Sequence, residues 1–137
     1  MNPACDIKTK LNFLFDLHGV LKEHFKLFRP MLKSLRCCGH SVIIASGSMP
    51  EMLKSELEEL GYKEGLHYDK AISVPEYLIN LGVPFTFDER ERPWTDDFTW
   101  WNSKSLICEE YKIDMMIDDT EKYQEHLFTN TVFTLLK

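Results

Sequence analysis

The sequence predicts one α/β domain with a mostly parallel sheet. Short apolar runs, as in buried strands, alternate along the chain with segments whose apolar residues follow helical spacing, and polar residues directly follow several of the runs. The chain has 137 residues, of which 44% are hydrophobic and 12% aromatic, and this is enough for one domain with its own core. We therefore expect residues 1–137 to fold as a single unit.

Composition argues against several classes of function. The chain has 16 Lys and Arg against 22 Asp and Glu, a formal net charge of −6, whereas a general nucleic-acid binder needs a basic surface. Its apolar runs are far shorter than the roughly 20 residues that span a bilayer, so we expect no membrane span and no signal peptide. The sequence has no CxxC pair, so we expect its cysteines to be reduced thiols; they are Cys5, Cys37, Cys38 and Cys108. A cytoplasmic location of the protein is therefore expected.

The first strand and helix are expected before residue 40. Residues 11–15 form a mostly apolar run that stops at Asp16, as in a buried strand that leads into a tight loop. A helix is expected to begin with Pro30 in its first turn and to end near Gly39.

A second strand and helix are expected to follow. Residues 42–45 are apolar throughout, and the helix after them is expected to begin with Pro50 and to end at Gly61. Ser48 and Glu51 have the spacing of a capping box for this helix.

Residues 62–101 are less regular. A short helix is expected after Pro75, ending at Gly82, and residues 84–87 are expected to form the third strand. The charged, turn-rich segment 88–97 predicts an exposed loop.

Regular patterning returns near residue 102. Asn102 or Ser103 is expected to cap a helix that runs through Tyr111. Strands are expected at 113–117 and at 131–136.

Polar residues follow three of the predicted strands. Asp16 follows the first, Ser46 and Gly47 follow the second, and the adjacent pair Asp118 and Asp119 follows a later one. These groups are expected to converge, because the loops at the carboxyl ends of parallel strands form the ligand crevice of an open sheet. Closely spaced carboxylates favour a cation between them, and their hard oxygen atoms suit Mg²⁺, which also binds substrate phosphate oxygens. The sequence therefore predicts a metal-assisted phosphate site.

Lys104 is the expected protein cation of this site. The predicted start of a helix near residue 103 puts Lys104 beside the crevice, where its ammonium group can neutralise a phosphate or a developing anion. Lys112 is a competing candidate, but it lies at the other end of that helix. Ser46 and nearby backbone N–H groups are expected to donate hydrogen bonds to the same anion.

Four stretches of the sequence together resemble the motifs of a known family. They are, in order, FLFDLHGVL at 13–21, VIIASG at 42–47, Lys104, and MIDD at 116–119. In order and spacing they resemble the four motifs of the haloacid dehalogenase (HAD) superfamily, over roughly residues 11–50 and 100–135. The resemblance implies a Rossmann-like three-layer fold. The short segment 22–29, where a large cap would be inserted, implies a member with a minimal cap.

The resemblance also implies roles for individual residues. Asp16 is implied as the nucleophile that forms an aspartyl-phosphate. Ser46, the backbone at Gly47 and Lys104 are implied to hold the transferring phosphoryl group. Mg²⁺ is implied as the cofactor, and its ligands would be the carboxylates of Asp16 and Asp118 and the backbone carbonyl of His18. Asp119 would either be a further ligand or hold a ligand in place.

His18 departs from the family pattern. Phosphatases of the family usually have a second aspartate at this position, which protonates the leaving oxygen and later activates water. An imidazole can do both near neutral pH, so His18 is a candidate catalytic acid and base. The alternative is that His18 orients a ligand or only replaces a lost acid.

The expected substrate is a phosphorylated small molecule, a nucleotide or an oligonucleotide end. An open crevice also leaves room for a partner chain, including a second copy. The arginines and tryptophans before Lys104 are candidates to line the entrance to the site, with arginines on phosphate and an aromatic ring on a base. The alternatives are packing or a subunit interface for the tryptophans and a solvated charged loop for the arginines. These residues are Arg90, Arg92, Trp94, Trp100 and Trp101.

Together these features predict a Mg²⁺-dependent phosphomonoester hydrolase that acts through an aspartyl-phosphate. The alternative is a catalytically degenerate HAD-like module that binds phosphate, a nucleotide or a protein. His18 and the small cap are the features that suggest it. Cleavage of a carbon–halogen or carbon–phosphorus bond is a third reading. The pair Asp118 and Asp119 favours metal use over metal-free dehalogenation.

Overall fold

The computed structural model describes residues 9–137. The strands are β1 (Asn12–Asp16), β2 (Ser41–Ser46), β3 (Lys70–Ser73), β4 (Thr86–Phe87), β5 (Pro93–Trp94), β6 (Met115–Asp118) and β7 (Val132–Leu135). The helices are α1 (Phe25–Cys37), α2 (Pro50–Glu59), α3 (Val74–Asn80), α4 (Asp97–Glu110) and α5 (Glu121–Glu125). The chain thus has the α/β class that the sequence predicts.

Five of the strands form one parallel sheet in the order β3-β2-β1-β6-β7. Numbered along the chain, the sheet strands therefore lie in the order 3-2-1-4-5, which is consistent with a Rossmann-like fold. The strands β2 and β3 are added on one side of β1, and the strands β6 and β7 are then added on its other side. Ligand crevices of open α/β sheets form at this switch point, here between the carboxyl ends of β1 and β6.

Helices cover both faces of the sheet, because side chains alternate along its buried strands. Leu14 of β1 packs in a core with Leu78 of α3 and Ile107 of α4. Its neighbour Phe15 packs in a second core with Leu32 of α1 and Leu57 of α2. The sheet is therefore the middle of three layers.

The third strand is not where the sequence predicts it. It is β3, at Lys70–Ser73, whereas the expected strand at 84–87 contributes only Thr86 and Phe87 to a small antiparallel hairpin with β5, outside the central sheet. At four residues, with an exposed lysine at its start, β3 is too short to show a clear pattern. The helix expected after Pro75 is confirmed as α3, which Ser73 caps by accepting a hydrogen bond from the Glu76 N–H.

The start of the first helix and the cap of the second also differ from expectation. The first helix begins at Phe25, so Pro30 lies inside it rather than in its first turn. Pro30 is exposed, and water can reach the carbonyl that loses its helical donor. The second helix does begin with Pro50, but no side chain caps it. The cap position is occupied by Met49, so Ser48 lies one residue too early to form the expected capping box.

The fourth helix is longer than predicted. It begins at Asp97, and its cap is Asp96, whose carboxylate accepts a hydrogen bond from the Thr99 N–H, rather than Asn102 or Ser103. Segment 88–97 is largely exposed, as predicted, but it contains β5, and its last residue begins α4.

The described residues bear on two further expectations. No helix within residues 9–137 is long and apolar enough to cross a membrane. Cys37 and Cys108 are free thiols, as expected. Cys5, for which the same prediction was made, lies outside the described residues.

Candidate functional site

Two aspartates and a lysine meet at the carboxyl ends of β1 and β6. The Lys104 ammonium donates hydrogen bonds to Oδ1 of Asp16 at 2.9 Å and to Oδ2 of Asp118 at 2.6 Å. The Lys104 side chain is only 2% exposed, Asp118 is completely buried and Asp16 is nearly so. The structure thus brings together three residues that the sequence assigns to one site.

The pairing of β1 with β6 explains why the two aspartates meet. Phe15 of β1 lies opposite Ile117 of β6. Asp16 follows Phe15 and Asp118 follows Ile117, so the two aspartates are neighbours across the strands. Side chains alternate along a strand, and both carboxylates therefore point to the face of the sheet that α4 covers. Lys104 reaches them from that helix.

Lys104 reaches the site from a different place than the sequence predicts. Because α4 begins at Asp97, Lys104 lies about two turns inside the helix and not at its start. Its ammonium also lies 4.2 Å from the ring centre of Tyr123, a buried residue of α5. The expectation that Lys104 joins the acidic residues is confirmed, but its stated reason, a helix start beside the crevice, was wrong.

Burial and charge act in opposite directions on this cluster. Burial raises the pKa of Asp16 most, Lys104 lowers it and Asp118 raises it, and together they bring it to about 7 from an ordinary 3.8. For Lys104, burial by itself lowers the pKa, but the carboxylates of Asp16 and Asp118 more than offset this and raise it above its ordinary value. The ammonium group of Lys104 therefore stays charged, while the pKa of Asp16 lies close to neutral pH.

Asp119 completes an acidic triad. It is exposed just beyond β6, and its Oδ1 accepts a hydrogen bond from the Thr120 hydroxyl at 3.2 Å. Asp16, Asp118 and Asp119 each offer an oxygen atom within 4.8 Å of the others. Gly19 leaves the space for this arrangement, because a Cβ on this residue would lie 1.9 Å from Oδ2 of Asp119.

The triad fits the Mg²⁺ ion that the sequence leads us to expect. Its ligand atoms are all carboxylate oxygens, which this hard cation prefers. When Asp16 is ionised, three carboxylates face the single ammonium of Lys104. Two negative charges remain unbalanced, and a divalent cation would neutralise them. That the backbone carbonyl of His18 is also a ligand of this ion stays a prediction.

The side chain of His18 is bound by a residue that sequence reasoning missed. Its Nε2 lies 2.8 Å from Oε2 of Glu56 on α2, and the Lys22 ammonium donates to the same oxygen at 3.2 Å. Burial raises the pKa of Glu56, but the hydrogen bonds from His18 and Lys22 outweigh it and lower that pKa overall. Glu56 lies 38 residues from His18 in sequence, and nothing local in the sequence marks their contact.

Ser46 and Gly47 lie at the end of β2, next to Asp16. Ser46 is completely buried, and its hydroxyl accepts a hydrogen bond from the Ser48 N–H at 3.2 Å. Gly47 packs so closely on Trp100 that a Cβ would lie 3.1 Å from the indole ring. The backbone of Gly47 can therefore reach the crevice, whereas a larger residue would be forced against Trp100.

A cleft of about 1180 Å³ lies beside the acidic triad. One wall is formed by His18 and by residues at the start of α2, and the other by the β4–β5 hairpin. Of the residues expected near the entrance, Arg90, Arg92, Trp94 and Trp100 line this cleft. Trp100 is buried, and Trp101 packs on Tyr123 with ring centres 5.0 Å apart. These two tryptophans therefore serve mainly packing, which was one of the two alternatives.

Comparison with known proteins supports the fold and does not identify a family. No family model and no curated protein matches the chain. Among solved structures, it is similar to a glycosyltransferase from Rickettsia africae ESF-5, with a TM-score of 0.50 and 14% identity. The match covers 91% of this chain but 29% of the glycosyltransferase. At this identity the likeness is one of fold. Fold and site together define an α/β protein with an acidic crevice at the switch point of its sheet.

Replacing Asp16 by asparagine is expected to raise the Tm of the metal-free protein at pH 8. A carboxyl group whose pKa is raised by folding, here from 3.8 to about 7, favours folding while it is protonated, and this contribution is lost as the pH rises through 7. Asparagine has a similar shape and no charge to bury. The Tm of the variant should exceed that of the unmodified protein by a few degrees at pH 8, and the difference should shrink towards pH 5. Calorimetry at both pH values measures it.

Glu59→Gln, at an exposed position, is the matched control and should show no such difference between the two pH values. Mg²⁺ should reduce the difference in Tm between Asp16→Asn and the unmodified protein, because it binds the ionised carboxylates of the unmodified protein. A lower Tm for Asp16→Asn at pH 8 would contradict this account.

Replacing Gly19 by alanine is expected to weaken Mg²⁺ binding. The new Cβ would lie 1.9 Å from Oδ2 of Asp119, so this carboxylate must leave its position. A loss of about tenfold or more in affinity is expected from such displacement of a ligand, measured by titration calorimetry. Gly82→Ala is the control, since Gly82 has a similar φ of +89 and open space around it. Equal Mg²⁺ affinities for the two variants would refute the role of Gly19.

Proposed function

We propose that the protein is a Mg²⁺-dependent phosphomonoester hydrolase that acts through an aspartyl-phosphate, with an HAD-like fold and a minimal cap. The observation that supports this most is the buried contact of Asp16 with Lys104, beside the acidic pair Asp118 and Asp119. A nucleophilic carboxylate must approach a phosphoryl group that is itself negative, and this requires nearby positive charge. Free thiols at Cys37 and Cys108 support a cytoplasmic location.

Asp16 provides the nucleophile of the proposed reaction. A carboxylate oxygen of Asp16 attacks phosphorus, and the bond from phosphorus to the leaving oxygen breaks, so that this oxygen departs with its electron pair and takes up a proton. Water then attacks phosphorus of the aspartyl-phosphate and loses a proton. The phosphorus bond to the Asp16 oxygen breaks, which releases inorganic phosphate and restores the carboxylate.

Lys104 has two tasks in this scheme. It holds Oδ1 of Asp16 at 2.9 Å, which orients the carboxylate, and it favours the ionised form that attacks. Mg²⁺ bound by the triad, with the carbonyl of His18, would supply further positive charge to the phosphoryl oxygens. Ser46 and the backbone of Gly47, at the end of the neighbouring strand, are the proposed hydrogen-bond donors to those oxygens.

His18 is the proposed general acid and base. Its side chain lines the cleft into which a leaving group departs. The contact of its Nε2 with Glu56 fixes the orientation of the ring and leaves Nδ1 for the leaving oxygen. The same contact suits the alternative function, a degenerate module that binds phosphate, a nucleotide or a protein, if His18 only serves to join the turn after β1 to α2.

Release of inorganic phosphate tests the proposed function. With Mg²⁺, a panel of sugar phosphates, nucleotides and phosphorylated oligonucleotides should include substrates, and Asp16→Asn should lower turnover to background, because asparagine cannot serve as the nucleophile. Beryllium fluoride should also form an adduct on Asp16 when Mg²⁺ is present, as seen by mass spectrometry or NMR.

The Asp16→Asn variant should keep its fold, and its circular dichroism serves as the control. Turnover that survives in this variant would exclude Asp16 as the nucleophile. Mg²⁺ binding without turnover or an adduct would favour the degenerate binding module.

A general acid should matter most for leaving groups that need a proton. His18→Ala should therefore lower kcat for an alkyl phosphate by about a hundredfold or more, and much less for p-nitrophenyl phosphate, whose leaving group is stable as an anion. Lys22→Ala is the matched control, because it removes the other contact of Glu56 and leaves His18 in place. Equal losses on both substrates would refute acid catalysis by His18.

A further inference from the structure

The cleft beside the acidic triad is placed to hold the part of a substrate that departs from the phosphoryl group. His18 and Gly47 line it, and they lie two residues after Asp16 and one residue after Ser46. A phosphoryl group bound at Asp16 would therefore lie next to residues of this cleft, although the acidic triad itself is not part of its lining. At about 1180 Å³ the cleft is large enough for an organic molecule the size of a drug or a nucleoside.

Large apolar side chains in this cleft face solvent. Met52 is 59% exposed, Phe87 is 52% exposed and Trp94 is 42% exposed. Apolar surface collected in one concave site marks a place for a ligand that covers it. Trp94 is also held in position, since its ring centre lies 5.0 Å from that of Trp100. A fixed indole ring beside an exposed phenyl ring favours a planar ring that can stack on them.

The charged residues of the cleft favour a neutral occupant. Two arginines line it, and one of them, Arg92, is paired with Asp88 at 2.6 Å. Glu51 and Glu91 line the same space and, with Asp88, give the cleft three carboxylates beside its two arginines. A leaving group with further phosphates would bring its negative charges against these carboxylates.

We propose that the leaving group is a nucleoside, so that the substrate is a nucleoside monophosphate rather than a nucleoside triphosphate or an oligonucleotide end. A nucleoside is neutral and has a planar base to cover Phe87 and Trp94. It also has hydroxyl groups that polar residues such as Glu51 can bind. The inference rests on the proposed function for the reaction, but the binding of the nucleoside itself does not depend on catalysis.

The kinetic test compares adenosine 5′-monophosphate with glycerol 3-phosphate, which has no ring. Phe87→Ala should raise KM for adenosine 5′-monophosphate about tenfold, from the loss of stacking, with little change in kcat and no effect on glycerol 3-phosphate. Phe87 is used first because Trp94→Ala also removes packing of the hairpin on α4. Phe98→Ala is the control, since Phe98 is also exposed to solvent, at 71%, but lies outside the cleft.

A binding test separates this inference from the proposed function. Adenosine should bind the unmodified protein in titration calorimetry, and Phe87→Ala should weaken that binding about tenfold. If no phosphomonoester is hydrolysed but adenosine binds in this way, the proposed function fails and the nucleoside site stands. If glycerol 3-phosphate is hydrolysed but adenosine does not bind, the nucleoside site is refuted and the proposed function stands. A 5′-phosphorylated oligonucleotide hydrolysed faster than adenosine 5′-monophosphate would also overturn the inference.

Discussion

The buried ammonium of Lys104 is the interaction on which the rest of the structure depends. Asp16 and Asp118 end neighbouring strands, and without a cation their carboxylates would repel each other in a part of the protein that excludes water. Lys104 bonds to both, and this allows two charged groups to sit at the switch point of the sheet. One ammonium does not balance three acidic residues, and the remaining charge is what makes the crevice suited to a divalent cation.

The sequence was most informative where one residue changes a pattern. The apolar run before Asp16 and the one before Asp118 each stop at an acidic residue, and parallel strands bring their carboxyl ends to one edge. This was sufficient to predict that the two carboxylates meet, and the pairing of Phe15 with Ile117 confirms it. The catalytic and metal roles that the family resemblance implies remain predictions, since geometry alone does not test them.

Other features depend on tertiary contacts that a local pattern does not contain. The strand β3 has four residues and gains its place by pairing with β2. The start of α4 is set by Asp96, and its segment lacks the apolar stripe that would have shown a helix through Lys104. Glu56 meets His18 because α2 packs on the same face of the sheet as the turn after β1. Each of these is decided by residues far apart in the chain.

The helix α4 connects two parts of the molecule that have been described separately. Trp100 lies one turn before Lys104 on this helix, and Trp100 and Trp101 both pack on Trp94 of the hairpin. One wall of the outer cleft and the ammonium between Asp16 and Asp118 are therefore carried by the same helix, one turn apart. The hairpin that closes the cleft thus rests on the very element that supplies the innermost positive charge.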